Sequence, residues 1–379
     1  MMRLSSPSCN AIGGNNKRYA VPTVSPMGHR NSWSLAKWYA RTGPDVNKIL
    51  TTRLMINAVD DVLTSTPSSF VGAYYFNGAI LLPNGNVFLI PSNSTTARIY
   101  NPITGEVFTP SGSYPGSSAY YGGILLPNGN VFVAPAKNTQ SRIYDPRTDT
   151  VYYLPASYPN ALFGAVILLD GRIFCCPASS STARIYDPIT DTITTPGGSY
   201  TGGLLGGNLL PDGRVFCFPS DSSSARIYDP KTNTASTPSG SYSGRYIGGV
   251  LLQDGRVFCA PSGATTARIY DPVTDTLITP AGTYPSIDGS FWGAVLLPDG
   301  RVFIVPALST TARIYDPVTD TLITPAGTYP GNDAYHGGIL LSNGRVFCVP
   351  YNNSAARIYG SSSYVLSPAR TLSPFDNRV

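Results

Sequence analysis

The chain is poor in charge: 12% of its 379 residues are Asp, Glu, Lys or Arg, against about 25% in an average soluble protein. A charge-laced coiled coil and a charge-rich disordered chain are both excluded by that figure. Histidine is nearly missing, with only His29 and His336, so any site built from several imidazoles is excluded too. Past Glu106 no glutamate occurs, which leaves aspartate as the sole carboxylate for acid–base work in most of the chain. No stretch approaches 18 uninterrupted apolar residues, and the first twenty carry no apolar segment of the secretory kind. The expectation is a protein without a membrane span, not exported by a signal peptide, and located in the cytoplasm or in a virion. The six cysteines lack the spacing of a zinc site or a disulfide framework.

What is abundant is glycine and proline, 38 and 34 residues, together nearly a fifth of the chain. Such a density of breakers rules out long helices and favours short strands joined by tight turns. A unit of the form GGxLLP[DN]G[RN]VFxxP, five polar residues, then ARIYDPxTDTxxTPxG[ST]Y occurs seven times. Its turn glycines are Gly85, Gly129, Gly171, Gly213, Gly255, Gly300 and Gly344, at spacings of 44, 42, 42, 42, 45 and 44 residues. Each unit reads as four strands: the run ending Leu-Leu, the Val-Phe strand after a [DN]G turn, the Arg-Ile-Tyr strand, and a Thr-rich strand after the Asp-Pro turn. Seven four-stranded units at this period bury their faces by radial packing. The predicted fold is therefore all-β: a seven-bladed β-propeller over residues 58–368, with an irregular basic N-terminal arm at 1–57 and a tail at 369–379.

The repeat resembles the kelch family, in particular the blades of the galactose oxidase central domain, where an LLxDGRV hairpin precedes a YDPxT turn. The match spans residues 78 to about 368. It departs from kelch where a single proline (Pro91, Pro135, Pro177, Pro219, Pro261, Pro306, Pro350) replaces the double glycine closing the second strand, and where the fourth-strand Trp is missing. Resemblance to galactose oxidase implies a copper site with two His, a Tyr and a thioether-linked Tyr–Cys pair. Two histidines in the whole chain cannot supply it, so the expectation is no cofactor and no metal. Zinc motifs, a P-loop, a GxSxG elbow with a His partner and the sialidase SxDxGxTW box are absent as well. Aspartates in variable loops, Asp221, Asp288 and Asp333, are the remaining candidates for paired-carboxylate chemistry.

Residues recurring in every unit read as scaffold. Cys175, Cys217, Cys259 and Cys348 share one repeat position with Leu89, Val133 and Ile304, so the thiol stands in for a buried aliphatic group. Arg98, Arg142, Arg184, Arg226, Arg268, Arg313 and Arg357 persist even where the turn Asp is Asn101 or Gly360; they are expected to donate to carbonyls of a neighbouring strand or blade. Phe70, Tyr114, Tyr158, Tyr200, Tyr242, Tyr284 and Tyr329 form a series of inter-blade wedges. The segment 61–67 mimics the fourth-strand sequence at 320–325, so the N-terminal side is expected to complete the last blade, in competition with Ser363–Leu366.

Function is sought where the units differ. The tight turns share one end of the propeller and the longer connections the other; specificity needs asymmetry, which only the long-loop end has. Its candidate face comprises Asn77, Tyr121, Phe163, Leu205, Ile247, Trp292 and His336, preceding the inner-strand glycines, with Tyr120, Tyr246, Phe291 and Tyr335 one position earlier. The candidate anchor is the arm: residues 1–55 hold eight basic side chains against one acid, a net +7, with Lys17, Arg18, Arg30, Lys37 and Arg41 interleaved with Trp33, Trp38 and Tyr39. These features point to a non-enzymatic structural or recognition propeller, in its specific version a capsid or tail component of a virus or phage particle. Its partners would be other proteins, with nucleic acid at the arm and a glycan on the long-loop face as further candidates. An intracellular kelch-type adaptor and a carbohydrate-active propeller are the rival readings.

Overall fold

The computed structural model describes residues 62–66, 70, 75–154, 158, 162–178, 180–221 and 223–360. Its strands form seven four-stranded antiparallel sheets and no helix occurs among the described residues. Blades 1 to 6 are meanders over residues 76–108, 120–153, 162–194, 204–236, 246–278 and 291–323. Blade 7 takes three strands from 335–359 and its outermost from Leu63–Ser65, which pairs antiparallel with Arg357–Tyr359 in the register Leu63↔Tyr359 and Ser65↔Arg357. The ring is thus closed by the N-terminal side, as the 61–67 repeat mimicry implies. Leu63 lies against Gly327 as Val151, Leu277 and Leu322 lie against Gly112, Gly240 and Gly282 of their neighbouring blades.

Seven apolar clusters, one at each blade interface, make up the core. In every interface the Phe of a Val-Phe strand stacks on the Tyr of the next blade's Arg-Ile-Tyr strand: Phe88–Tyr144, Phe132–Tyr186, Phe174–Tyr228, Phe216–Tyr270, Phe258–Tyr315, Phe303–Tyr359 and, across the closure, Phe347–Tyr100. Centroids are 4.7–5.5 Å apart, where an aromatic pair contributes about 0.5–1.5 kcal/mol beyond its burial. The wedge series is buried as expected, from 1% exposed at Phe70 to 4% at Tyr329. Each wedge also donates its backbone N–H to a carbonyl of the preceding long loop, as Tyr242 does to Ser223 at 2.8 Å and Tyr284 to Thr265 at 2.9 Å.

The first strands of successive blades touch in a closed circuit, so they line the axis. Each carries a bulge at the same place: in blade 1, Phe76 faces Pro91 and Ala79 faces Leu89, leaving Asn77 and Gly78 opposite Ile90 alone. The bulge glycines Gly78, Gly122, Gly164, Gly206, Gly248, Gly293 and Gly337 have φ between +68° and +84°, the left-handed region that glycine enters without steric cost. A Cβ on Gly122 would stand 3.2 Å from the Cα of Gly164, so this conformation also lets the backbones close around the axis.

The recurrent arginines differ from expectation in their acceptors. Arg98, Arg184 and Arg313 donate to a Thr hydroxyl two residues back and to the carbonyl of the preceding Ala on their own strand. Arg226 and Arg268 reach hydroxyls of Thr237 and Thr201, and of Thr279 and Ser243. Arg142, whose unit has Gln140-Ser141 instead of Thr-Ala, is buried with its guanidinium 3.6 Å from the Tyr153 ring centroid. In Arg98, Arg184, Arg226, Arg268 and Arg313 short hydroxyl side chains take guanidinium N–H groups in place of neighbouring-blade carbonyls, whereas Nε of Arg142, Arg268 and Arg357 is buried without a hydrogen bond.

Candidate functional site

The two ends of the propeller are built differently. At the turn end one set of bonds recurs: the Asp or Asn before Pro accepts the N–H two residues on, as at Asn101, Asp145, Asp187, Asp229, Asp271 and Asp316. The second acid of the DPxTD turn sits at φ of 50–55° in Asp149, Asp191, Asn233, Asp275 and Asp320. Its side chain accepts from the Tyr hydroxyl of its own blade. In four of them it also accepts a backbone N–H from the preceding blade: Ser111 to Asp149, Gly197 to Asn233, Ser239 to Asp275 and Ala281 to Asp320. These residues are consumed by the scaffold.

At the long-loop end the bulge residues converge on the axis. Phe163 of blade 3 reaches Trp292 of blade 6, with centroids 6.2 Å apart, and Tyr121 packs on Phe163 at 5.1 Å. Contact between blades three places apart closes the mouth of the channel with aromatic rings. Tyr121, Phe163 and Trp292 remain half-buried, whereas Asn77, Leu205, Ile247 and His336 are covered. Tyr246, Phe291 and Tyr335 do not belong to this face: like Tyr120 they are at most 1% exposed, and each of the four sits in a different inter-blade cluster. Adjacent residues on a strand point to opposite sides, so the position before each axial residue faces the core. The Tyr246 hydroxyl accordingly donates inward, to the Thr266 carbonyl at 3.1 Å.

His336 is the centre of this mouth. Its ring lies between Trp292 (centroids 3.8 Å, interplanar 5°) and Tyr351 (3.5 Å, 10°). Nε2 is 2.8 Å from Asp333 Oδ1 and Nδ1 is 3.1 Å from Asn77 Nδ2. A carboxylate can only accept and an amide nitrogen can only donate, so Nε2 carries the proton and Nδ1 accepts. Burial holds the imidazole below its ordinary pKa of 6.5, with Asp333 opposing that shift and Arg245 adding to it. Both nitrogens are engaged. No copper site of the galactose oxidase kind fits here, because His336 is the one described histidine and no group of three His, Cys, Asp or Glu able to hold a metal occurs among the described residues.

Beside the mouth, between blades 4, 5 and 6, lies a cavity of about 430 Å³ lined by Ser220, Asp221, Ser223, Tyr242, Gly244, Arg245, Gly263 and Asp288. Its origin is loop length. From wedge aromatic to inner strand the chain takes three residues at 201–203 and 243–245 but six at 285–290; the two short connections leave room and the long one walls it with Asp288. Arg245 is the hub: it donates to Ser220 Oγ at 2.9 Å and to both oxygens of Asp288 at 3.2 Å, lies 3.9 Å from Asp221, and sits 6.0 Å from the Trp292 ring centroid. Two glycines make way for the carboxylates: a Cβ on Gly203 would come within 2.7 Å of Asp221 Oδ2, and one on Gly263 within 3.2 Å of Asp288 Cα.

Sequence reasoning named Asp221, Asp288 and Trp292 but missed Arg245. The signal was available: the other units put Tyr75, Ala119, Ala161, Gly203, Ser290 and Ala334 at that position, so Arg245 breaks a small-residue pattern in five of them. The arm residues Lys17, Arg18, Arg30, Trp33, Lys37, Trp38, Tyr39 and Arg41 lie outside the described residues.

No protein-family model and no curated protein matches the chain. Among solved structures, a streptogramin B lyase is similar with a TM-score of 0.68 and 10% identity, over 79% of this chain and 98% of that one. A catalytically inactive virginiamycin B lyase from Staphylococcus aureus with quinupristin gives 0.68 and 7%, over 80% of this chain and 100% of that one. A fungal alcohol oxidase of the AA5 family, in complex with copper, gives 0.58 and 15%, over 79% of this chain and 75% of that one. At such identities the likeness is one of architecture, shared by proteins of different chemistry, and what it establishes is that this chain is a seven-bladed β-propeller.

Proposed function

We propose that this propeller is a non-catalytic recognition module, which takes its partner at the long-loop end and is held to a larger assembly by the basic segment 1–57. In its specific form the assembly is a virus or phage particle, with the protein a surface component of capsid or tail. The observation that carries the recognition reading is the contrast between the ends: scaffold bonds recur blade after blade at the turn end, while the long-loop end gathers Trp292, His336, Tyr351, Arg245 and Asp288, residues that the other units do not repeat. The anchoring reading is supported by the net +7 of residues 1–55 with Trp33, Trp38 and Tyr39 among the charges, a pattern suited to an acidic shell protein or packaged nucleic acid.

The test compares the full chain with one beginning at Ala58, which retains the closing strand Leu63–Ser65, in capture experiments at low and high salt. The full chain should retain acidic structural proteins or nucleic acid at low salt and release them at high salt, and the shorter chain should not. Equal, salt-resistant capture by both would overturn the anchor. Turnover of any glycoside or lactone that is lost in Asp288→Asn would overturn the non-catalytic reading.

A further inference from the structure

We infer that the cavity around Arg245 is a binding site for a neutral pyranose, a hydroxyl-rich saccharide carrying no charge of its own. The inference rests on the recognition reading above and assigns its ligand class. Four observations support it. The cavity, about 430 Å³, falls in the range of small-ligand sites. Its charged groups are one guanidinium and two carboxylates, a net negative balance that disfavours phosphate, sulfate or carboxylate ligands. The guanidinium at its centre disfavours a cationic ligand.

Donors and acceptors also alternate in space. Arg245 presents a planar fork already fixed by Ser220 and Asp288, while the side chains of Asp221 and Asp288 are 74% and 69% exposed, with lone pairs free for further donors. A sugar hydroxyl donates and accepts at once, so vicinal hydroxyls can bridge carboxylate and guanidinium with both partners satisfied. An apolar ligand would leave the same groups desolvated and unpaired.

Finally, the site is not scaffold. Arg245 stands where three other units have Ala, and Gly203 and Gly263 give the space that Asp221 and Asp288 occupy. Half-buried Trp292, 6.0 Å from the Arg245 guanidinium, adds an aromatic surface at the rim toward the channel mouth.

The test is saturation-transfer NMR on the full chain with the methyl pyranosides of glucose, galactose, mannose and N-acetylglucosamine, with lactose and maltose, and with sialyllactose and galactose 6-sulfate as anionic probes. At least one neutral saccharide should bind. Its affinity should fall about tenfold or more in Arg245→Ala and in Asp288→Asn, with the thermal midpoint unchanged, and stay as it was in Arg147→Ala at the turn end. Binding of only the anionic probes, binding that both cavity variants leave intact, or no saccharide binding at all would overturn the inference. The recognition reading stands or falls separately: if no saccharide binds but Arg245→Ala or Asp288→Asn abolishes capture of a protein by the full chain, recognition at this end survives and its ligand class is protein. If neither variant alters any capture, both readings fail.

Discussion

The imidazole of His336 shows how a single residue can be tied down from every side. Two aromatic rings cover its faces, Asn77 donates to one nitrogen and Asp333 accepts from the other. Protonation at Nδ1 would set two donors against each other at the Asn77 contact. Because burial lowers the folded-state pKa beneath the ordinary 6.5, the unfolded chain binds the proton more readily. Stability from this group is therefore complete above about pH 6.5 and is lost as pH falls from there through the folded value. The wild-type melting temperature should drop between neutral pH and pH 5 more steeply than that of His336→Gln, and thermal scans at matched ionic strength across that range test it. Equal slopes would mean that Asp333 cancels the effect of burial, and a shallower wild-type slope that it outweighs it. A sequence shows that His336 is there but not that Trp292, 44 residues earlier, lies flat on it; that contact exists only once blades 6 and 7 are side by side.

Among the elements, the bulged inner strand is the part whose form least resembles what its sequence suggests. Gly-Gly followed by apolar residues reads as a plain buried strand, and the seven-fold glycine reads as economy of space. The structure gives the first glycine a second role, a left-handed conformation that swings the preceding residue toward the axis. Two substitutions separate these roles. Gly171, in a [DN]G turn, has φ of +90° and open space around a notional Cβ; Gly122 has φ of +77° and the next blade's backbone at 3.2 Å. Gly171→Ala should cost about 1–2 kcal/mol in urea unfolding from backbone strain alone, and Gly122→Ala should cost more because the blades must also part. The same contrast explains why the tight turns were legible: DG, NG and DP dipeptides act within a few residues, whereas the close approach at the bulge and the Arg245 cavity depend on neighbours in other loops and blades, such as Gly164 for Gly122 and Ser220 and Asp288 for Arg245. The inter-blade Phe–Tyr stacks were hidden for that reason too, although both residues of each pair recur in every unit.

For the whole molecule, closure through Leu63–Ser65 makes the ring depend on a three-residue strand. Beginning the chain after Thr66 would bare the Arg357–Tyr359 edge and remove Leu63 from Gly327. Such a protein should unfold at a clearly lower temperature and aggregate through the open edge, while the chain from Ala58 should melt with the full-length protein; differential scanning calorimetry with light scattering checks both. The closing strand was readable because it copies the fourth-strand motif of the other units. The long-loop end of the propeller was readable only in outline, since loop lengths in the sequence mark asymmetry without showing which side chains meet across it.

The five described cysteines are unbridged and wholly enclosed, distributed over blades 3, 4, 5 and 7. All five are out of reach in the closed ring, and burial pushes the Cys175 thiol up to about 12 and raises those of Cys259 and Cys348 as well. Alkylation therefore clocks the parting of blades: Cys176 and Cys217 lie together between blades 3 and 4, Cys259 between 4 and 5, and Cys348 between 6 and 7. Mass-resolved labelling during partial denaturation would show which seam of the propeller gives way first.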